Sequence, residues 1–236
     1  MGFLGLFNTR HSLQESKILK DSTDRHSHIL YGVDDGIKTL EDSLSVLAFQ
    51  ESLGVKDVWC TPHIMEDVPN GTEFLKERFA ELCNSYKGSV KLHLAAEYML
   101  DTVFEKRLED RDLLTMEDDM LLVETSTIAP PYDLNGSLKE IMTAGYRPLL
   151  AHPERYRFLS EKDYSELYEI GVRFQLNLAS VTGYYGESAK KKAEFILGKG
   201  WYMVTGSDCH RYSSIRQQYA RKAISSKQMK QLSTIL

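Results

Sequence analysis

The chain has 236 residues, 42% apolar and 27% charged, with 29 basic against 34 acidic side chains and a formal charge of −5. This is the composition of a soluble globular protein with core enough to fold without staples, and it excludes a disordered, fibrous or membrane-embedded chain. It also disfavours nucleic acid as a partner, because no net cationic field exists to gather on phosphate backbones.

The apolar start, Met1 to Phe7, is too short to span a bilayer and lacks a signal-peptide cleavage pattern. Leu6 breaks the N-myristoylation pattern. Residues 1–22 read as an extension before the domain, either a loosely ordered terminus or an amphipathic contact segment. A strand is expected over 24–30. Thr39-Leu40-Glu41-Asp42 then opens a helix with a capping box, and Gly54 stops it. Val55 to Thr61 follows as a buried strand. Helical periodicity over 72–87, 101–109, 134–144, 161–169, 187–199 and 213–224 alternates with strand-like runs over 91–96, 120–125, 148–151, 173–178 and 202–205. About seven β/α units with no linker between them predict one α/β domain over 23–236, a closed or distorted barrel in preference to an open sheet. Cys60, Cys83 and Cys209 are odd in number and irregularly spaced, which argues for a reducing compartment, the cytoplasm.

In parallel α/β folds, functional groups gather where strands end. Here those ends carry His26 and His28 with Asp35 in the next loop, His63, Glu97, Glu124, His152 with Arg155, Asn177, and Asp208 with His210. The spacing of His26 and His28 puts both rings on one face of an extended strand, as it does Asp208 and His210. A carboxylate such as Glu97 or Glu124 at the end of an apolar strand must be paired, exposed or bound to metal. Singly, each has a bland explanation; together, five of the seven histidines and several acids sit at separate strand ends that one barrel would join. Imidazole and carboxylate without thiolate suit Mn²⁺, Fe or Zn²⁺, and the surplus of ligands suits two or three ions. Arg155 serves either as a phosphate clamp or in a surface pair with Glu154. Phosphate-ester hydrolysis is the chemistry this constellation supports.

The residues Asp24-Arg25-His26-Ser27-His28, Gly32-Val33-Asp34-Asp35-Gly36, Thr61-Pro62-His63, Ala96-Glu97-Tyr98, Ala151-His152-Pro153-Glu154-Arg155-Tyr156, Gly183-Tyr184-Tyr185-Gly186 and Ser207-Asp208-Cys209-His210 resemble the PHP (polymerase and histidinol phosphatase) superfamily. Within it the chain is similar to the bacterial metal-dependent protein-tyrosine phosphatases of the CpsB/YwqE type, over about residues 23–225. The resemblance implies a distorted, TIM-barrel-like (β/α)7 barrel with two or three divalent ions, manganese foremost. It implies that His26, His28, Glu97 and Asp208 hold one ion, Glu97, Glu124 and His152 a second, and Asp35, His63 and His210 a third. It further implies that Arg155, Glu97, Asp208 and His210 take part in catalysis, and that Arg155 and a second arginine, Arg216 by spacing, bind phosphate. The implied partner is the phosphotyrosine tail of a bacterial tyrosine kinase controlling capsule or exopolysaccharide synthesis. A small-molecule phosphoesterase, for example one acting on histidinol phosphate, and a non-catalytic phosphoprotein binder are the alternatives. Two positions depart from the family pattern: Arg25, expected to snorkel outside the barrel, and Tyr31, which either meets a substrate ring or fills its loop.

Overall fold

The computed structural model describes residues 9–236; the apolar start and the myristoylation position lie outside them. In chain order the first half comprises β1 (Arg10–His11), α1 (Leu13–Ser16), β2 (Thr23–Asp24), α2 (Leu40–Ser52), β3 (Asp57–Cys60), β4 (His63–Ile64), α3 (Thr72–Ser85), β5 (Lys91–Leu94), β6 (Glu97–Met99) and α4 (Thr102–Asp110). The second comprises β7 (Met120–Glu124), α5 (Leu134–Thr143), β8 (Arg147–Ala151), a 3-10 turn (Pro153–Arg155), α6 (Glu161–Glu169), β9 (Arg173–Asn177), α7 (Leu178–Val181), α8 (Gly186–Lys199), β10 (Tyr202–Gly206), α9 (Tyr212–Ala220), β11 (Ile224–Ser225) and α10 (Ser226–Leu232). The helix expected after Thr39 begins there: its side chain accepts from Asp42 N, and Gly54 takes a positive φ just beyond the end.

Two parallel sheets, β10-β9-β8-β7-β6-β4 and β2-β3-β5, are parts of one barrel. β4 continues β3 beyond Thr61-Pro62, where proline has no N–H to give the ladder, and β6 continues β5 beyond Ala95-Ala96. Ala95 N donates to Cys60 O at 3.0 Å and Glu97 N to Pro62 O at 3.1 Å, carrying the pairing across both breaks. The seam closes between the first strand and the last. Arg25 N donates to Thr205 O (3.0 Å), His28 N to Cys209 O (3.1 Å) and Asp208 N to His26 O (2.8 Å). Seven parallel strands thus close into the distorted barrel that the β/α alternation predicts. The expected strand 24–30 is paired regularly only over Thr23–Asp24, because the residues after it bond alternately to both neighbours. At the seam a Cβ on Gly206 would fall inside the His26 side chain, so only glycine lets the two strands approach.

Period-two alternation divides the core. Met120, Leu122, Leu149, Ala151 and Val204 fill the barrel's interior with Ala95 and Met116, while Leu121, Val123, Leu150, Phe174 and Leu176 join the larger core shared with the helices. Above the interior apolar layer the buried positions turn polar: His26, Glu97, Gln175 and Asn177. Residues 10–22 are held to the rest by β1, which pairs antiparallel with β11, and by Leu13 and Leu19, buried in the main core. The helix expected over 213–224 ends at Ala220, since Ile224 leaves helical geometry to pair with His11. Among the described residues no helix is long and apolar enough to cross a membrane.

Candidate metal centre

All nine ligand candidates, His26, His28, Asp35, His63, Glu97, Glu124, His152, Asp208 and His210, meet at the carboxyl end of the barrel. Glu97, fully buried, is the hub. Its Oε2 lies 3.1 Å from His26 Nε2, 3.2 Å from His28 Nε2 and 3.2 Å from His63 Nδ1; its Oε1 lies 3.1 Å from His152 Nε2. Four clusters have ligand atoms close enough to share an ion: His26, His28 and Asp208; His26, Glu97 and His152; His63, Glu97 and Glu124; and His28, Asp35, His63 and His210. The first and last contain the groupings the resemblance implies, with Glu97 bordering the first. The implied trio of Glu97, Glu124 and His152 is divided between the other two, although His152 Nε2 still stands 3.7 Å from Glu124. Asp35 and His210 are the most exposed of the nine, so the site opens on their side.

The rings are aimed by partners on their far side. His28 Nδ1 is 2.8 Å from Asp34 Oδ2 and His26 Nδ1 is 2.9 Å from Gln175 Oε1, which turns both Nε2 atoms to the centre; His210 Nδ1 faces the Asp208 carbonyl at 3.0 Å. Asp34 also accepts from His63 N and Gly36 N. His152 (φ 34°) and Asp208 (φ 51°) occupy left-handed backbone that non-glycine residues seldom adopt, held by Gln175 Oε1 at His152 N and by His26 O at Asp208 N. Two buried ligand atoms, Glu97 Oε2 and His63 Nδ1, face each other without a hydrogen bond. With the rings neutral, as metal binding requires, these lone pairs converge with no donor between them, so the residues fit a divalent metal.

The electrostatics agree. Burial works against charge on His26 and His63, but Glu97 beside both, Asp208 beside His26 and Glu124 beside His63 outweigh it and raise their pKa values to about 9 and about 10. Glu97 and Asp208, although desolvated, are held below the ordinary carboxylate range, by His26 and His63 and by His26 and Arg155 respectively. Without metal, protonated rings neutralise the carboxylates. Because these histidine values lie above the unfolded value of 6.5, their stabilisation is complete below that pH and is lost as pH rises through 9 to 10. Chelator-treated protein should therefore melt at progressively lower temperature from pH 7 to pH 10, and a saturating divalent ion should flatten that decline; a pH-independent melting temperature after chelation would contradict it.

Arg155 does not pair with Glu154. Its Nη1 donates to Asp208 Oδ2 at 2.6 Å and its guanidinium lies 4.6 Å from the Tyr185 ring centroid. Glu154 is buried beneath, accepting from Asn177 N and Tyr202 OH, and burial raises its pKa. Arg216 is not brought to the site. It lies over the Tyr212 ring in a groove with Gln14 and Phe49, because α9 turns it away from the strand end, whereas Arg211, at the N-cap, lines the cleft with Asp35, Arg155 and His210. Arg25 reaches Glu117, at the other end of β7 from Glu124. Tyr31 is pinned beneath Arg78, with its hydroxyl donating to Glu81 on α3, so it anchors the loop. Asp34, Gln175 and Tyr185 were not identifiable as supports: Asp34 is one of two adjacent aspartates, and Gln175 shows only as a polar residue in an apolar strand.

Comparison with known proteins matches residues 22–234 to the family described as "Capsular polysaccharide synthesis, CpsB/CapC". Tyrosine-protein phosphatase CpsB of Streptococcus pneumoniae is 32% identical over 85% of this chain and 87% of its own length. Tyrosine-protein phosphatase YwqE of Bacillus subtilis is 27% identical over 79% of this chain and 76% of its own. A solved structure from work on YwqE of B. subtilis and CpsB of S. pneumoniae, described as metal-dependent tyrosine phosphatases, superposes with a TM-score of 0.73 at 22% identity, covering 90% of this chain and 86% of that one.

Proposed function

The chain belongs to the CpsB/CapC family of capsular polysaccharide synthesis proteins, and on that premise we propose that it is a metal-dependent phosphatase hydrolysing phosphotyrosine. The observation that carries this reading is the meeting of nine imidazole and carboxylate ligands with Arg155 at one barrel mouth. Its substrate in the cell is the phosphotyrosine tail of a tyrosine kinase that regulates capsule or exopolysaccharide synthesis, and its compartment is the cytoplasm, which suits three free cysteines.

Charge favours three ions. Asp34, Asp35, Glu97, Glu124 and Asp208 bring five negative charges and Arg155 one positive. Two divalent ions would balance the remainder, and a third, with Arg211 at the cleft rim, would leave the positive charge that receives a phosphomonoester dianion. Manganese is the ion proposed, with iron or zinc compatible with the same donors. When bound, the ions activate water and polarise the phosphoryl oxygens.

The protein's own groups do the rest. Arg155, fixed between Asp208 and the face of Tyr185, presents its outer N–H groups to the phosphate oxygens, a charge-assisted contact that strengthens as the phosphoryl group transfers. Asn177 Nδ2 donates to Asp208 Oδ2 at 2.8 Å and keeps that carboxylate in place. His210 and Asp35, at the open side, border the path of the leaving group. A phenolate, with a conjugate acid of pKa about 10, needs far less proton donation than an alkoxide, so the site can release tyrosine without a dedicated strong acid.

The test is turnover by the manganese-supplemented chain on a phosphotyrosine peptide and on histidinol phosphate. Preference for the peptide, abolished by EDTA and restored by manganese, is expected. Preference for histidinol phosphate would replace the substrate, and inactivity on both with metal bound would make the protein a binder. Arg216→Ala should leave peptide hydrolysis within about twofold, while Arg211→Ala, which removes a cleft cation, should raise KM several-fold, roughly the cost of one charge-assisted contact; the reverse pattern would return Arg216 to the site.

A further inference from the structure

The motif Gly183-Tyr184-Tyr185-Gly186 contributes no ligand, yet it forms one wall of the cleft that opens beside Arg155 and Asp208. The chain turns tightly there between α7 and α8. Gly183 (φ 77°) and Gly186 (φ 90°) take left-handed backbone, Gly186 N donates to Gly183 O and Tyr184 N to Ala179 O. Two consecutive tyrosines are thereby held on a short, anchored turn, and their environments differ. Tyr185 is spent on the site's interior: it lies under the Arg155 guanidinium, and its hydroxyl is 3.3 Å from Asn177 Nδ2. Tyr184 stands perpendicular to it, with ring centroids 5.1 Å apart and planes at 87°, and is 40% exposed.

Tyr184 thus lines the same cleft as Arg155, exposed on an anchored turn, and packs against the tyrosine whose face carries the Arg155 guanidinium. We propose that Tyr184 is a specificity-determining residue: its ring receives the phenyl ring of the substrate, so that the cleft selects an aryl phosphate over an alkyl one. The inference rests on the phosphotyrosine-hydrolase reading. With phosphate at Arg155, the substrate ring leaves the metal centre along the wall formed by the two tyrosines and meets the exposed one, with edge-to-face and offset contacts both available. Phosphoserine reaches the same arginine with a short alkyl link and gains nothing from the wall. Selection therefore resides in a contact made equally before and during phosphoryl transfer, which lowers KM and leaves kcat unchanged.

The experiment uses the full manganese-loaded chain and two peptides of one sequence, carrying phosphotyrosine or phosphoserine. Tyr184→Ala should raise KM for the phosphotyrosine peptide about five- to tenfold, the scale of one lost aromatic contact with its buried area, with kcat within twofold. KM for the phosphoserine peptide and the melting temperature should not change, and Tyr184→Phe should behave as the unsubstituted chain. An unchanged KM for phosphotyrosine, or equal losses on both peptides, would overturn the proposal. If the unsubstituted chain hydrolyses neither peptide, the phosphatase reading fails by itself. Calorimetric titration with free phosphotyrosine and phosphoserine then decides Tyr184 separately: weaker binding of phosphotyrosine alone in the alanine variant supports the wall, and equal affinities reject it.

Discussion

Replacing Glu97 by Gln is expected to lower turnover by more than about a hundredfold, the upper end of what losing an outer-shell partner costs a metal site, and to lower bound metal in the same preparation. Glu97 has no exposure and its two oxygens touch four imidazoles, those of His26, His28, His63 and His152. Among the described residues no other carboxylate lies within ion-pair distance of so many of the candidate histidines; Asp208 meets three. Glutamine keeps the volume and removes the charge, replacing one oxygen with an NH₂ that turns donors toward the ring nitrogens and toward any cation among them. Metal content measured by mass spectrometry alongside initial rates separates loss of ions from loss of chemistry. Full metal stoichiometry in the variant would show that Glu97 is no shared ligand, whatever happened to the rate.

Arg155→Ala should give the second large effect, with the opposite signature. Removing a positioned donor to a charge that develops in the transition state costs about 10²–10³ in kcat, and the metal should stay because arginine is not a ligand. Arg155→Lys should recover little, since an ammonium cannot reproduce both the contact with Asp208 and the stacking on Tyr185. Asp208 would still be held by Asn177 Nδ2 and flanked by His26 and His210. A rate within threefold of the unsubstituted chain would remove Arg155 from phosphate binding.

What could be read from the sequence was what repeats at short range. The period of two that puts His26 and His28 on one face, the N-cap at Thr39 and the alternation of strand and helix are local patterns, and each appears in the fold; the expected capping box forms only in half, since the Asp42 carboxylate takes the Thr39 hydroxyl and not its backbone N–H. The candidate ligands come together because a barrel gathers strand ends whatever lies between them. Long-range placement was not legible. Arg211 and Arg216 differ by five positions on or beside one helix, and only the angle of α9 against the barrel decides which enters the cleft. The break of one strand into β3 and β4 was foreshadowed by Pro62, but its repetition at Ala95-Ala96 carries no such mark. The left-handed backbone at His152 and Asp208 is set by tertiary hydrogen bonds, and nothing in either side chain announces it. The tail beyond Ala220 looked helical because its true partner, His11, lies at the opposite end of the chain.

The barrel's seam bears on how the protein is made. Asp24 Oδ1 accepts from Ser207 N, 183 positions later, and the candidate ligands on the two sides of that join, His26 and His28 against Asp208 and His210, are the first and last of the nine to be synthesised. A nascent chain thus carries half a site through almost the whole of translation, and the pairing that completes it is among the longest-range contacts in the fold, the class that forms slowly. A cation gripped by His26, His28 and Asp208 would rivet the first strand to the last, so its release and the opening of the barrel become one event. A cation could be held by that cluster in full only once the last strand has closed on the first, so completing such a site and completing the barrel would coincide.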